Sequence, residues 1–399
     1  VATSLGIIVL LGLLSNKLFT KFKLPGLLGM LILGVVIGPY GFNLIQPDLM
    51  KASADFRKIA LIIILLRAGF GISRDDLKMV GTAAIKLSCI PGIIEGFFIA
   101  FAATKFLGFS FIQGGILGFI IAAVSPAVVV PQMLSFMEKG LGTNKGIPTL
   151  ILAGASIDDV FAITIFSTFL GLYSGKHVNI GIQVLGIPIS ILLGIIAGVI
   201  IGFVLVRIFK KHHIRDTKKV LIILGSAILL TTLESILKNK VEIAGLLGVM
   251  TIGFIILEKM PEVGKRLALK FNKIWVFAEI LLFVLVGAQV NINVAVDAGA
   301  KGIIVIIIGL IGRSIGVWIS LLGTDLNRKE RLFCIISYIP KATVQAAMGA
   351  IPLSLGVASG DVILAIAVLS ILITAPLGAI AINASGPRLL YADTGNSII

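Results

Sequence analysis

Charged residues are scarce in this chain. They make up 13% of its 399 residues, against about a quarter in soluble globular domains, which excludes a water-facing surface over most of the length. Cysteine is almost absent. Cys89 and Cys334, the two present, both sit in apolar stretches, which excludes a disulfide framework and a thiolate metal site. Aromatics reach only 7% and do not interleave with the Lys and Arg residues, which are scattered through short connections. The formal charge of +15 therefore does not describe a nucleic-acid patch, and no nucleic-acid partner is expected. Long polar segments are missing too, and the tail from Gly386 to Ile399 is short. That leaves no place in this sequence for an ATP-driven motor domain, a sensor kinase or a ligand-binding ectodomain. Neither an enzymatic reaction nor a cofactor is expected.

What the chain does have is apolar length. It is 58% hydrophobic, with a mean hydropathy of +1.12, and its 45 glycines let helices approach closely and bend. Crossing about 30 Å of hydrocarbon takes roughly 20 residues as helix. On that measure an all-α polytopic membrane protein is predicted, with about thirteen spans near residues 4–19, 24–40, 57–72, 76–105, 110–136, 147–173, 181–209, 218–236, 241–258, 268–290, 298–322, 328–355 and 358–382. The basic residues test this division, because they accumulate in cytoplasmic connections. Connections after odd-numbered spans hold 22 Lys and Arg, among them Lys17, Lys21, Lys23, the run Lys210, Lys211, Arg215, Lys218, Lys219, and the group Arg328, Lys329, Arg331. Those after even-numbered spans hold 8, such as Lys105, Lys176 and Lys301. The N-terminus is therefore expected outside and the C-terminus in the cytoplasm, in a bacterial inner (plasma) membrane. The sequence begins at Val1 and not at Met, which leaves room for a preceding segment; the charge count does not depend on one. His212 and His213 fall in the most basic loop and read as solvated residues.

Charges remaining within the spans are the basic residues Arg67, Lys86, Arg313 and Lys341 and the acids Glu95, Asp158, Asp159 and Glu279. A central intramembrane charge costs several kcal/mol unless it is paired or hydrated, so each is a candidate functional residue. Asp158 and Asp159 stand out. They lie about 17 Å into their span, close to the midplane, with the small residues Gly154, Ala155, Ser156 and Ala162 one turn away. A carboxylate pair in such a place binds a hard cation through oxygen, or holds protons when burial and mutual repulsion disfavour two charges. A site that takes either an ion or protons is the core of an antiporter. Structural neutralisation by basic partners is the competing reading, weaker for Asp159 because adjacent residues point about 100° apart. For Arg313, which needs a buried anion, Glu95 is the expected partner in a structural pair. Lys341 is expected either to offset the negative end of a half-helix or to pair with Asp158. Arg67 and Lys86 lie near span ends and are expected to snorkel, while Glu279 has no evident partner.

Proline marks two interruptions. Ser125-Pro126-Ala127-Val128-Val129-Val130-Pro131 lies at the centre of the fifth span, and two prolines five apart remove donors and disfavour helix before each. The twelfth span repeats the pattern with Tyr338-Ile339-Pro340-Lys341-Ala342-Thr343. Non-helical backbone at this depth is tolerated only beside protein or a water-filled cavity. Two broken helices in corresponding halves point to inverted repeats with the site at the breaks.

Together, Gly154-Ala155-Ser156-Ile157-Asp158-Asp159-Val160, the Ser-Pro-Ala-Val-Val-Val-Pro break and Pro-Lys-Ala-Thr-Val-Gln-Ala-Ala near the end resemble the cation/proton antiporter superfamily. The closest likeness is to NHA-type sodium/proton exchangers. Ala60 to Gly69 and Leu285-Val286-Gly287-Ala288 are similar too, so the resemblance covers most of the chain. It implies a thirteen-helix or similar NhaA-like fold with inverted repeats, two broken helices crossing beside the aspartates, a homodimer, and elevator-like movement of a six-helix core past a dimer domain. On this reading 1–399 is one transporter unit, its core near 57–173, 268–290 and 328–382, its dimer domain near 1–40 and 181–258, with 298–322 between them. Asp159 then matches the acid that binds the ion or proton, and Asp158 the position held by Asp or Asn across the superfamily. Relatives of the bacterial NhaA kind place Lys where this chain has Arg313, and that Lys pairs with the first aspartate; Arg313 with Glu95 looks like the NHA-type arrangement.

The expected activity is exchange of Na⁺ or Li⁺ for H⁺ by alternating access. The metal is bound at Asp159 and Asp158 with Ser156 and backbone around Ser125, and Pro126, Pro131, Pro340 and Lys341 support the breaks. The expected partners are monovalent cations, protons, the lipid bilayer and a second copy of the chain. A K⁺/H⁺ exchanger would use the same machinery, and a sodium-coupled organic-anion symporter shares the crossed-helix plan. An intramembrane aspartyl protease needs acids opposed across a water, which adjacent residues on one helix do not provide.

Overall fold

A computed structural model describes residues 1–22, 26–72, 74–174, 180–237, 243–289 and 299–392. Lys23 and Lys176 lie outside the described residues. With no water in hydrocarbon to satisfy N–H and C=O groups, a spanning chain must hydrogen-bond within itself. Among the described residues every regular element is accordingly helical, apart from an isolated bridge between Leu141 and Ala392. The helices are α1 (Ala2–Lys21), α2 (Gly26–Ile37), α3 (Pro47–Lys51), α4 (Ser53–Gly71), α5 (Arg74–Leu107), α6 (Phe111–Ile121), α7 (Pro126–Glu138), α8 (Ile147–Tyr173), α9 (Ile180–Lys211), α10 (Asp216–Leu237), α11 (Gly245–Lys259), α12 (Pro261–Ala288), α13 (Gly299–Ser320), α14 (Arg328–Ser337), α15 (Thr343–Met348), α16 (Ile351–Ser354) and α17 (Gly360–Leu389).

Nine stretches among the described residues are long and apolar enough to cross a membrane, counting the interrupted Phe111–Glu138 as one. Four expected spans fall short for visible reasons. Helix α2 has 12 residues and α11 has 15, α4 carries Arg57, Lys58 and Arg67, and the stretch expected at 328–355 is divided among α14, α15 and α16.

Packing sorts the helices into two groups. Helices α1, α2, α4, α10, α11 and α12 pack on one another, with α9 against α11; α5, α6, α7, α8, α13, α14 and α17 form the second group. Helix α4, expected in the core, packs chiefly on α12 and α11. Helix α12, also expected there, packs on α4 and α2, and α13, expected between the two units, packs chiefly on α5. The second group buries an aromatic stack, Phe97 edge-on to Phe119 at 5.4 Å and Phe119 on Phe169 at 5.8 Å. Its longest helix, α5, loses helical geometry at Gly81 and continues through Pro91. Gly316 of α13 seats against Pro91: a β-carbon there would lie 2.6 Å from the Pro91 Cα. That close approach carries Arg313 of α13 to the acids of α5 and α8.

Candidate functional site

The site is built where two helices stop. Pro126 opens α7 at its first turn, where a missing N–H costs nothing, and holds Ser125 extended, so α6 ends at Ile121. Pro131 lies inside α7. The helix continues through Pro131, so the break expected from both prolines coincides with the first alone. The second interruption runs between Ser337 and Thr343 and contains Pro340. The two breaks are joined, as the Ser125 N–H donates to the Pro340 carbonyl at 2.8 Å. Carbonyls at the end of α6 have no helical partners. Gln345 Nε2 donates to those of Ile120, Ile121 and Ala123 at 3.1, 3.2 and 2.9 Å, and the Lys341 ammonium lies 3.5 Å from that of Ala122.

Four charged groups meet at this crossing, all with at most 1% of their surface exposed. The Arg313 fork grips Asp158 bidentately, Nη2 to Oδ2 at 2.9 Å and Nη1 to Oδ1 at 3.3 Å. Its Nε lies 3.0 Å from Glu95 Oε2 and donates to the Tyr338 carbonyl at 3.1 Å. Lys341 Nζ meets the same Glu95 oxygen at 2.6 Å. Asp158 Oδ2 also accepts the Val124 N–H at 2.8 Å. Gly92 makes room for the pair, since a β-carbon there would lie 3.0 Å from Asp158 Oδ1. The Glu95–Arg313 contact is present, but Arg313 does not serve Glu95 alone. It spans both acids, because a guanidinium has five donors and can satisfy two carboxylates at once. Neither of the two expectations for Lys341 names its short contact, which is Glu95; the half-helix end is reached only at 3.5 Å, through the Ala122 carbonyl, and Asp158 is left to Arg313. Both Asp158 oxygens are engaged by protein donors, which differs from the expectation that this carboxylate faces an ion.

Asp159 is arranged otherwise. It makes no ion pair among the described residues, and its buried Oδ1 has no hydrogen-bond partner. It lines a cleft of about 400 Å³ together with Ser156, Thr343, Pro126 and Glu234. Thr343 Oγ1 and Ser125 Oγ are likewise buried without partners. Ser156 Oγ donates to the Leu152 carbonyl at 2.8 Å and keeps its lone pairs. Two acids and two bases thus balance one another, and one carboxylate beside them is left over, facing a cleft with oxygen donors.

Thr343, Gln345, Tyr338 and Glu234 escaped selection as site residues on sequence grounds. The first three carry no charge, the signal used to pick buried candidates; the identity of Thr343 and Gln345 within the Pro-Lys-Ala-Thr-Val-Gln segment was the available hint. Glu234 lies near the end of the expected span 218–236, where a charge reaches water and gives no signal of a site. Arg67 does more than snorkel: it bonds Asn272 at 2.5 Å, lies 4.0 Å from Glu138 and sits 5.9 Å over the Trp275 ring. Glu279 interacts electrostatically with Arg67. Lys86 is exposed.

Residues 6–384 match the family model described as sodium/hydrogen exchanger, transmembrane. The chain is 34% identical over 401 residues to sodium/hydrogen exchanger 9B2 of Homo sapiens, covering 96% of this chain and 72% of that protein. It is 32% identical over 386 residues to sodium/hydrogen exchanger 9B1 of the same species, covering 92% and 73%. Its fold is similar to that of the sodium proton antiporter MjNhaP1 from Methanocaldococcus jannaschii, with a TM-score of 0.78 at 21% identity over 96% of this chain and 97% of the other. Both of these exchangers are human proteins and do not support the expected bacterial inner membrane.

Proposed function

Because the chain belongs to the transmembrane sodium/hydrogen exchanger family and is an integral multi-pass membrane protein, we propose that it exchanges Na⁺, and Li⁺ in its place, for H⁺ at Asp159. The observation that carries this reading is the uncompensated carboxylate. Glu95, Asp158, Arg313 and Lys341 neutralise one another, whereas Asp159 lines the cleft with no basic partner among the described residues. One monovalent cation or one proton completes its charge, and the two compete for the same oxygens. Thr343, Ser156 and Ser125 add neutral oxygen ligands, the set a hard cation prefers. Asp158 supports the site through Arg313 and does not coordinate the ion. Among the described residues lining this cleft the charged groups, Asp159 and Glu234, are both acidic, which disfavours an organic anion.

The movement follows the packing. The spans form inverted repeats, thirteen when the shorter and divided helices are included. Helices α5–α8 and α13–α17 carry the crossing breaks and the charged cluster as a mobile six-span core. Helices α1, α2, α4 and α10–α12 form the fixed unit that pairs with a second copy, and α9 links the two. On the orientation set by the basic connections, the N-terminus is outside and the Asp159 cleft opens outward. An elevator-like shift of the core would carry Asp159 with its bound ion to the cytoplasmic side.

The test is proton flux in proteoliposomes under Na⁺, Li⁺ and K⁺ gradients, comparing the parent with Asp159→Asn. Loss of Na⁺- and Li⁺-driven flux in the variant is expected. Flux equal to that of the parent would place the ion site elsewhere.

A further inference from the structure

Glu234 is a charged lining residue of the Asp159 cleft that the exchange reading leaves without a role. It stands on α10 and lines the cleft together with Asp159 of α8. The cleft does not end there. An adjoining space of about 310 Å³ shares Val160, Ile163, Glu234, Ala244 and Leu246 with it, and adds Lys58 and Ser235. Glu234 therefore sits at the waist between the Asp159 chamber and an outer vestibule. Its carboxyl group lies over the first turn of α11: a β-carbon at Gly245 would be 3.0 Å from the Glu234 carboxyl carbon, and the positive end of a helix favours an anion there. Lys58 on α4 is tied to the same part of α10, Nζ donating to the Thr231 carbonyl at 3.0 Å and to Ser235 Oγ at 3.1 Å. Among the described lining residues of the two spaces, the charged groups are Asp159, Glu234 and Lys58.

Resting on the exchange reading, we propose that Glu234 is a specificity-determining vestibule residue: its carboxylate draws monovalent cations into the cleft and Lys58 opposes it, so that this opposed pair sets the apparent Na⁺ affinity of Asp159. The physics is that of a narrow entrance with low-dielectric walls, where one fixed charge changes the local counter-ion concentration several-fold. Anchoring α11 is the purely structural role for Glu234, and glutamine would serve it nearly as well.

The experiment measures the Na⁺ dependence of proton flux in proteoliposomes for the parent, Glu234→Gln and Lys58→Gln. Removing one unit charge near the path should raise the apparent KM for Na⁺ by about five-fold in Glu234→Gln and lower it by a similar factor in Lys58→Gln. Both shifts should shrink when N-methylglucamine chloride raises the ionic strength to about 0.5 M, where exposed charges are screened. Opposite signs are the signature, since a packing defect moves both variants the same way. An unchanged KM in Glu234→Gln, or KM shifts of one sign in both variants, overturns the vestibule role. If Glu234→Gln does not fold, Lys58→Gln decides alone: a lowered KM supports the proposal and an unchanged one removes it. Absence of Na⁺-driven flux in the parent removes the exchange reading and this inference with it, whereas parental flux with unaltered variants removes only the inference.

Discussion

Membrane voltage should not move the balance point of exchange. Asp158 is held by two Arg313 nitrogens and the Val124 N–H, and parting such a buried pair costs about 3–5 kcal/mol. A potential of 100 mV supplies only about 2.3 kcal/mol per unit charge. On the proposed reading Asp158 would stay paired through the cycle, and Asp159 alone would exchange one cation for one proton. No net charge would then cross. The assay is a null-point titration in proteoliposomes: internal and external Na⁺ and pH are set, K⁺ and valinomycin clamp the voltage, and the Na⁺ ratio at which proton flux vanishes is read at 0 and at about −100 mV. One-for-one exchange gives the same ratio at both voltages. If a second proton moved through Asp158, one net charge per cycle would shift the ratio about 50-fold over 100 mV, since 2.3 kcal/mol is nearly two decades. A shift of that size would refute the assignment of Asp158 as a fixed partner.

Arg313→Ala should strip Asp158 of its counter-charge and leave Glu95 with Lys341 alone, destabilising the protein by about 3–5 kcal/mol; thermal unfolding in detergent measures this, with Asp159→Asn expected to be much milder. Gln345→Leu should leave the carbonyls of Ile120, Ile121 and Ala123 without their shared donor, at a cost of about 1–3 kcal/mol in the same assay. Gly92→Ala places a methyl group 3.0 Å from Asp158 Oδ1 and should cost about 1–3 kcal/mol through overpacking, whereas Gly225→Ala, with nothing within 4 Å, should leave both melting and flux unchanged. Equal behaviour of the two glycine variants would show that the Asp158 pocket tolerates displacement.

Much of the architecture is legible in the sequence because proline and charge are informative in an apolar chain. Pro126 and Pro340 mark both breaks, and each acid of the central cluster is conspicuous at its depth. The pairing is harder to read. Whether Arg313 meets Glu95, Asp158 or both depends on how closely α13 approaches α5, a distance set by Gly316 against Pro91 that leaves no periodic signal. Lys341 illustrates the same limit: its position in the break suits a half-helix end or Asp158, and only the crossing geometry brings it to Glu95. Pro131 does not interrupt α7 although it lies near the middle of that helix, where a proline removes one backbone hydrogen bond. The division into packing groups was drawn from chain order and superfamily likeness, whereas the groups are set by which small-residue faces meet, as where Gly253 of α11 approaches the Leu66 carbonyl of α4.

The balanced cluster also explains why exchange would be obligatory. Glu95, Asp158, Arg313 and Lys341 sum to zero, so in the proposed movement the charge buried at the crossing would be decided by Asp159. Loaded with Na⁺ or with a proton the core is neutral; empty, it carries one unpaired carboxylate at mid-membrane. Moving that charge past the fixed helices costs several kcal/mol more than moving the neutral forms. The empty return would be slower by orders of magnitude, since each 1.4 kcal/mol is about ten-fold. Coupling then needs no gate that senses occupancy. It follows from having one acid more than there are bases, which is why Asp158, though adjacent and chemically identical, has to be neutralised by Arg313 for Asp159 to act alone.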